Sequence, residues 1–324
     1  MGNIAVVICS GEETEHAETK GFMSRIRYAF KLICSKFKPV KVESWFEFLK
    51  INEEYGVYLL KLPYETEEFK RLSKKKINSL SSKIAEYCSQ KGILSCFLPE
   101  ILKDCFETGG VFKSLIDKQL LYKSVLIDII KEIYYESNVV LSHLDVAIIH
   151  GSDNNELFRI INLLSGYFNY LTVSTDNKES IEDGLNNIYE EAGLAVGISS
   201  DYKNTVKSSQ LIIHLGNSNF DFSDCLSSDK VVINYSGEVV NNIAGNCKLI
   251  NGIFIHPPEE IVQNIKEEVF EFFSKSDIAM ILINYRAGFV DTLPCALNET
   301  GLKECLETEF KKGGYKIAGF LGNI

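Results

Sequence analysis

The run Asp291-Thr292-Leu293-Pro294-Cys295 places a thiol where nucleophilic chemistry is favoured. It offers polar cap candidates, and a proline suited to the first turn of a helix. A cysteine in that turn sits at the positive end of the helix dipole, which lowers its pKa and favours the thiolate. A thiolate can attack an activated acyl group and hold it as a thioester. Burial is the commoner fate of a free cysteine. Both readings of Cys295 stay open.

A second constellation is the turn Gly151-Ser152-Asp153-Asn154-Asn155-Glu156-Leu157, which follows the apolar run Val146 to His150. A dinucleotide site wants several glycines here, so that backbone amides approach a pyrophosphate at the helix N-terminus. Only Gly151 is present. Asp153 and Glu156 instead spell a capping box, in which side chains satisfy those amides. A carboxylate there also repels phosphate. Asp176, ending the next apolar run, stands where an acidic residue would hold a ribose, roughly 20 residues on. Gly151, Ser152, Asp176 and Gly216 are the candidate cofactor-binding residues. NAD or NADP is the cofactor they would take, and the capping box predicts weak binding or none.

The five histidines are dispersed, at 16, 143, 150, 214 and 256. His150 and His214 end two of the apolar runs and can face a ligand crevice, or simply terminate buried strands. Arg286 can pair an anion or serve as a solvated side chain. The loop Glu12-Glu13-Thr14-Glu15-His16 can supply an acid or base, though such charge runs are usually exposed. Lys70, Arg71, Lys74, Lys75 and Lys76 form a basic cluster in a chain of formal net charge −10. It is either a docking patch for an acidic partner or a solvated helix start.

These residues need a scaffold, and the pattern between 145 and 234 predicts one. Apolar runs at Val146 to His150, Tyr170 to Ser174, Leu194 to Ile198, Leu211 to Leu215 and Val231 to Asn234 alternate with helical stretches. Leu157, Ile160, Ile161, Leu164 and Phe168 lay one apolar face along a helix. This predicts an α/β fold with a Rossmann-type parallel sheet, its ligand crevice beyond the carboxyl ends of the strands. A second α/β unit precedes it. Strands are expected at Ile4 to Cys9, Val57 to Leu62 and Ile93 to Leu98, and helices at Gly21 to Phe37 and Ser73 to Gln90. Leu115 to Ser137 reads as one long connecting helix. Gly252 to Ile255 reads as a strand, Glu259 to Phe273 as a helix, and the last helix as running from near Pro294 to about Phe310. The expected domains are 1–114 for substrate or partner, 115–143 as connector, 144–290 as the Rossmann-type domain, and 291–324 as a C-terminal helix packing back between the domains.

Composition narrows the classes. The chain has 324 residues, 45% of them hydrophobic, enough for two cores. The acidic balance argues against nucleic acid as a general partner. Nine cysteines show no metal-ligand spacing and suit a reducing compartment. No apolar run reaches the roughly 18 residues of a membrane span. The expected localisation is cytoplasmic.

The order of elements and several short stretches resemble the aldehyde-forming long-chain acyl-(acyl carrier protein) reductases. Cys295-Ala296-Leu297-Asn298-Glu299 is similar to the family's Cys-x-x-Glu stretch, with one extra residue before Glu299. Gly56-Val57-Tyr58-Leu59-Leu60-Lys61-Leu62-Pro63 resembles its strand ending in Leu-Pro, and Phe106-Glu107-Thr108-Gly109-Gly110 its Phe-Thr-Thr-Gly-Asn segment. The family's Gly-x-x-Gly-x-x-Gly loop has Asn154 and Leu157 in place of its second and third glycines. The resemblance implies an N-terminal α/β domain, an NADPH-binding Rossmann domain, and a cysteine, Cys295 here with Glu299 beside it, that takes the acyl group before hydride releases an aldehyde. It also implies an acyl carrier protein or acyl-CoA as partner, met at the basic cluster. Two alternatives stand beside this reading. One is a nicotinamide-independent cysteine acyltransferase or thioesterase; the other is a non-catalytic binding or scaffold protein.

Overall fold

A computed structural model describes residues 3–10, 41–51, 56–107, 110–113, 118–216, 226–237, 247–288 and 299–322. In chain order its elements are β1 (Asn3–Cys9), β2 (Phe46–Lys50), β3 (Gly56–Leu62), α1 (Thr66–Lys70), α2 (Lys74–Lys91), β4 (Ile93–Phe97), β5 (Phe112–Lys113), α3 (Lys118–Ser124) and α4 (Leu126–Ile133). There follow β6 (Asp145–Ile149), α5 (Asn154–Ser165), β7 (Tyr170–Ser174), α6 (Glu179–Ala192), β8 (Val196–Ser199), α7 (Tyr202–Ser208), β9 (Leu211–His214) and β10 (Val231–Asn234). The last are β11 (Lys248–Ile250), β12 (Gly252–His256), α8 (Glu259–Asn264), α9 (Lys275–Arg286), α10 (Glu299–Lys312) and β13 (Lys316–Leu321).

The chain divides into two compact units, Met1–Ile116 with Pro257–Ala296, and Asp117–His256 with Leu297–Ile324. Residues 257–288 therefore belong with the first unit, whereas the sequence pattern had joined them to 144–290. From residue 118 on, the stretch expected to be one connecting helix belongs to the second unit and carries two helices, α3 and α4, broken at Val125 (φ −105°, ψ 31°). The Arg159 guanidinium donates to the Lys123 carbonyl at 3.1 Å, engaging an acceptor at the end of α3. The expected helix from Glu259 to Phe273 is likewise interrupted, since Ile265 is extended between α8 and a 3-10 turn at Glu267–Glu271.

In the first unit the sheet order is β2-β3-β1-β4-β5, parallel except for the edge strand β2. Strand side chains alternate between faces. Ala5, Val7 and Cys9 meet Ile77, Leu80, Ile84 and Cys88 of α2 on one face. Val6 turns the other way, where Leu49, Ile51 and Val57 line a wholly apolar space with Ile278, Ile281 and Leu282 of α9. Helix α9 is buried from Ile278 to Tyr285 without interruption.

The second unit carries a six-stranded sheet, β11-β10-β9-β6-β7-β8, with every pair parallel. Numbered from β6, this is the order 3-2-1-4-5-6 of Rossmann-type sheets, and the chain reverses direction across the sheet between β6 and β9. The expected fold class is the one observed. Ala147, Ile149, Ile212, Val232 and Leu249 pack with Val206 of α7 on one face. The opposite face carries α3: the Tyr235 hydroxyl donates to the Tyr122 carbonyl at 3.1 Å, and the Tyr122 hydroxyl to the Ile250 carbonyl at 2.7 Å. The C-terminal segment is not helix alone. After α10, β13 pairs antiparallel with β12. Among the described residues, no helix is long and apolar enough to cross a membrane.

Candidate functional site at the switch point of the second sheet

The ends of the central strands are aligned by backbone bonds that run one residue past them. His150 N donates to the Ser174 carbonyl at 3.0 Å, Thr175 N to Ser199 at 3.0 Å, Leu215 N to Ile149 at 2.9 Å and Tyr235 N to His214 at 2.7 Å. Parallel pairing thus brings the turns after β6, β7 and β9 to one edge. Those turns hold Gly151 and Ser152, Asp176, and Gly216, so the topology collects all four candidate cofactor-binding residues at the switch point. Asp176 and Ser152 are exposed. Gly216 has φ +114°, a backbone conformation that favours glycine.

The first turn corrects the expected capping box. Asp153 does cap α5, its carboxylate accepting from Glu156 N at 3.1 Å. Glu156 does not reach back. Its carboxylate accepts two bonds from Arg159, at 2.9 and 3.0 Å, and one from Lys303 Nζ at 2.7 Å. Side-chain exposures of 8% for Glu156, 12% for Arg159 and 5% for Lys303 make this a buried ionic cluster. Burial alone would raise the Glu156 pKa, but Arg159 and Lys303 outweigh it and bring the group down to about 2. Only one carboxylate, that of Asp153, therefore caps the amides of this helix start.

Two histidines end the central strands. His150 Nε2 lies 2.9 Å from Asn154 Oδ1, and Asn154 Nδ2 donates to the Ser180 carbonyl at 3.1 Å. Burial holds His150 below the ordinary histidine value, so the neutral ring is favoured. On β9, His214 Nδ1 lies 3.1 Å from Asn234 Oδ1, which also accepts from the Ser236 amide and hydroxyl. Asn234 Nδ2 donates to Asn251 Oδ1 at 2.8 Å. His214, Asn234 and Asn251 form a polar row across the ends of β9, β10 and β11. Both histidines stand among the candidates named from sequence; Asn154, Arg159, Asn234, Asn251 and Lys303 do not. Asn234, a polar residue closing an apolar run, carried the same signal as the histidines; Lys303 carried none.

The remaining candidates lie elsewhere or outside the described residues. Cys295 and the loop at 11–16 lie outside them, as does the expected helix at 21–37; Glu299 is the first residue of α10. Of the described cysteines, Cys9, Cys88, Cys96 and Cys247 are buried, and burial pushes the Cys9 thiol up to about 11. The basic cluster is in the first unit and exposed. Lys74, Lys75 and Lys76 occupy the first turn of α2, where the helix dipole disfavours cations. Lys70 pairs with Glu67 at 3.4 Å and Lys74 with Glu107 at 3.5 Å, while Lys76 lies 5.2 Å from the Tyr64 ring centroid.

No protein-family model matches the chain, and no curated protein matches it in sequence. Among solved structures it is similar to a shikimate 5-dehydrogenase from Listeria monocytogenes, at 8% identity over 87% of this chain and 96% of that one, with a TM-score of 0.32. An ornithine transcarbamoylase from Giardia lamblia is similar at 10% identity, over 90% of this chain and 87% of that one, with a TM-score of 0.31. An L-tryptophan dehydrogenase from Nostoc punctiforme is similar at 11% identity, over 96% and 80%, with a TM-score of 0.30. Scores this low leave the architecture to be read from the strand order itself.

Proposed function

We propose that the second unit binds a nucleoside-containing small molecule in the crevice at the carboxyl ends of β6 and β9. The observation that supports this most is the strand order, whose reversal opens a crevice between those two strands. Asp176, at the end of the second strand of the series, stands where a ribose hydroxyl is held in such sheets. NAD, NADP and acyl-CoA all carry an adenosine, and each is a ligand of this class. Binding to the folded state raises the unfolding midpoint by mass action. Thermal unfolding with adenosine, NAD(H), NADP(H) and acyl-CoA tests the reading. A midpoint raised by at least one of them supports it, and a midpoint unmoved by all four removes it.

The finer reading is an oxidoreductase-like enzyme that reduces an acyl thioester through Cys295, with Glu299 beside it. It rests on the sequence resemblance. Its donor would be an acyl carrier protein or acyl-CoA, docked on Lys70, Arg71, Lys74, Lys75 and Lys76. The Asp153 carboxylate at the start of α5 favours the nicotinamide-independent alternative, acyl transfer or hydrolysis at the same thiol. Both require an acyl-enzyme. Incubation with acyl-CoA should add one acyl mass at Cys295, and Cys295→Ala should abolish it. A wild-type chain that takes up no acyl group from CoA or carrier donors leaves the binding or scaffold reading.

A further inference from the structure

Two thiols meet in the core of the first unit. Cys88 continues the buried face of α2 after Ile77, Leu80 and Ile84, and Cys96 joins the same core from β4, between Ala5 and Phe112 in the strand register. Both residues are 0% exposed, and their sulfurs lie 3.4 Å apart. A disulfide bond is about 2.05 Å long, so the pair has only about 1.4 Å to close. The turn between them is fixed by Gly92, whose φ of +67° lets its amide donate to the Cys88 and Ser89 carbonyls before β4 begins. Cys88 sits in the last turn of α2, and Ser89, Gln90 and Lys91 after it are exposed. Helix ends open at little cost, which gives a small oxidant a route to a thiol that the closed helix covers. The hydrogen bond between the thiols pulls Cys88 below the ordinary cysteine value and, with burial, pushes Cys96 above it, so Cys88 ionises first.

We propose that Cys88 and Cys96 are a reversible redox pair, whose disulfide braces α2 against β4 when a peroxide is present. The Cys88 sulfur attacks one peroxide oxygen, the O–O bond breaks, and a sulfenic acid forms with release of one water. Cys96 Sγ then attacks Cys88 Sγ; the S–S bond forms, the S–O bond breaks and a second water leaves. The two thiols lose two electrons and the peroxide gains them. Exchange with two molecules of a small thiol returns the pair to its reduced state. The test is hydrogen peroxide treatment of the folded full chain, then alkylation in denaturant and peptide mapping without reductant. Trypsin cuts after Lys83, Lys91 and Lys103, so the two cysteines fall in separate peptides, 84–91 and 92–103. These should be found joined, with the loss of two hydrogens, and dithiothreitol should part them. The thermal unfolding midpoint should rise by about 4 °C or more on oxidation and return on reduction, a shift that Cys88→Ser and Cys96→Ser both lack. Should either variant fail to fold, the wild-type map and midpoint decide. Thiols that both stay free, a bond from either to another cysteine, oxidation past sulfenic acid without the link, or a link that forms only in denaturant overturns the pair. A midpoint unmoved or lowered by the bond overturns the brace.

Discussion

Lys303 Nζ lies 2.7 Å from Glu156 Oε2, a buried contact between residues 147 positions apart. It fastens α10 to the helix that starts at the candidate ligand turn. Arg159 completes the cluster and reaches on to the Lys123 carbonyl at the end of α3. Three helices of the second unit thus meet at one ionic cluster, through Lys303, Arg159 and the Lys123 carbonyl, and its central carboxylate was expected to cap α5.

Removing the charge should be costly. Glu156→Gln leaves Arg159 and Lys303 buried without the carboxylate that both contact, a change that costs about 3–5 kcal/mol in comparable settings. Denaturant unfolding of the variant measures it. A loss under about 1 kcal/mol would show that the cluster does not hold the helices together.

Acid should act on the same group. Its folded pKa, about 2, lies below the ordinary 4.5. A depressed carboxylate contributes stability that is fully present above 4.5 and is lost as pH falls through about 2. The shift corresponds to roughly 3 kcal/mol. Stability measured from pH 5 to pH 2 should fall more steeply in wild type than in Glu156→Gln. Parallel slopes would contradict the assignment.

The basic cluster makes a kinetic prediction. Reversing charge at Arg71, Lys75 and Lys76 should slow association with an acidic acyl carrier by about tenfold or more at low salt, and by less at high salt. Stopped-flow mixing gives the rates. Unchanged rates would return these side chains to the role of a solvated helix start.

Five of the six strands of the second sheet were legible in the sequence, most clearly β6, β9 and β10, which are buried on both faces and read as continuous apolar runs, whereas the short β11 was not read. Tyr170 to Ser174 and Val231 to Asn234 coincide with β7 and β10. The edge strand Phe46–Lys50 was not, because Glu47 and Lys50 break the apolar run and Phe48 is exposed. Helix α9 was missed for the opposite reason: buried all round, it shows no polar stripe to reveal a period. Arg159 touches both places, donating to the Lys123 carbonyl beside the break at Val125 and to the Glu156 carboxylate, and Lys303 adds to the second, in contacts that no local pattern encodes. At the site, the Asp153 cap and the strand-end histidines could be read from residue type and position. Their tautomers could not, since these depend on how Asn154 and Asn234 are themselves held.

The proposed place of the nucleoside is at the carboxyl ends of β6 and β9. Photolabelling with 8-azidoadenosine, followed by peptide mapping, locates the ligand directly. Adducts should be confined to the turns at 150–156, 175–178 and 214–216, and excess adenosine should suppress them. Adducts in the first unit, or labelling that adenosine does not suppress, would contradict it.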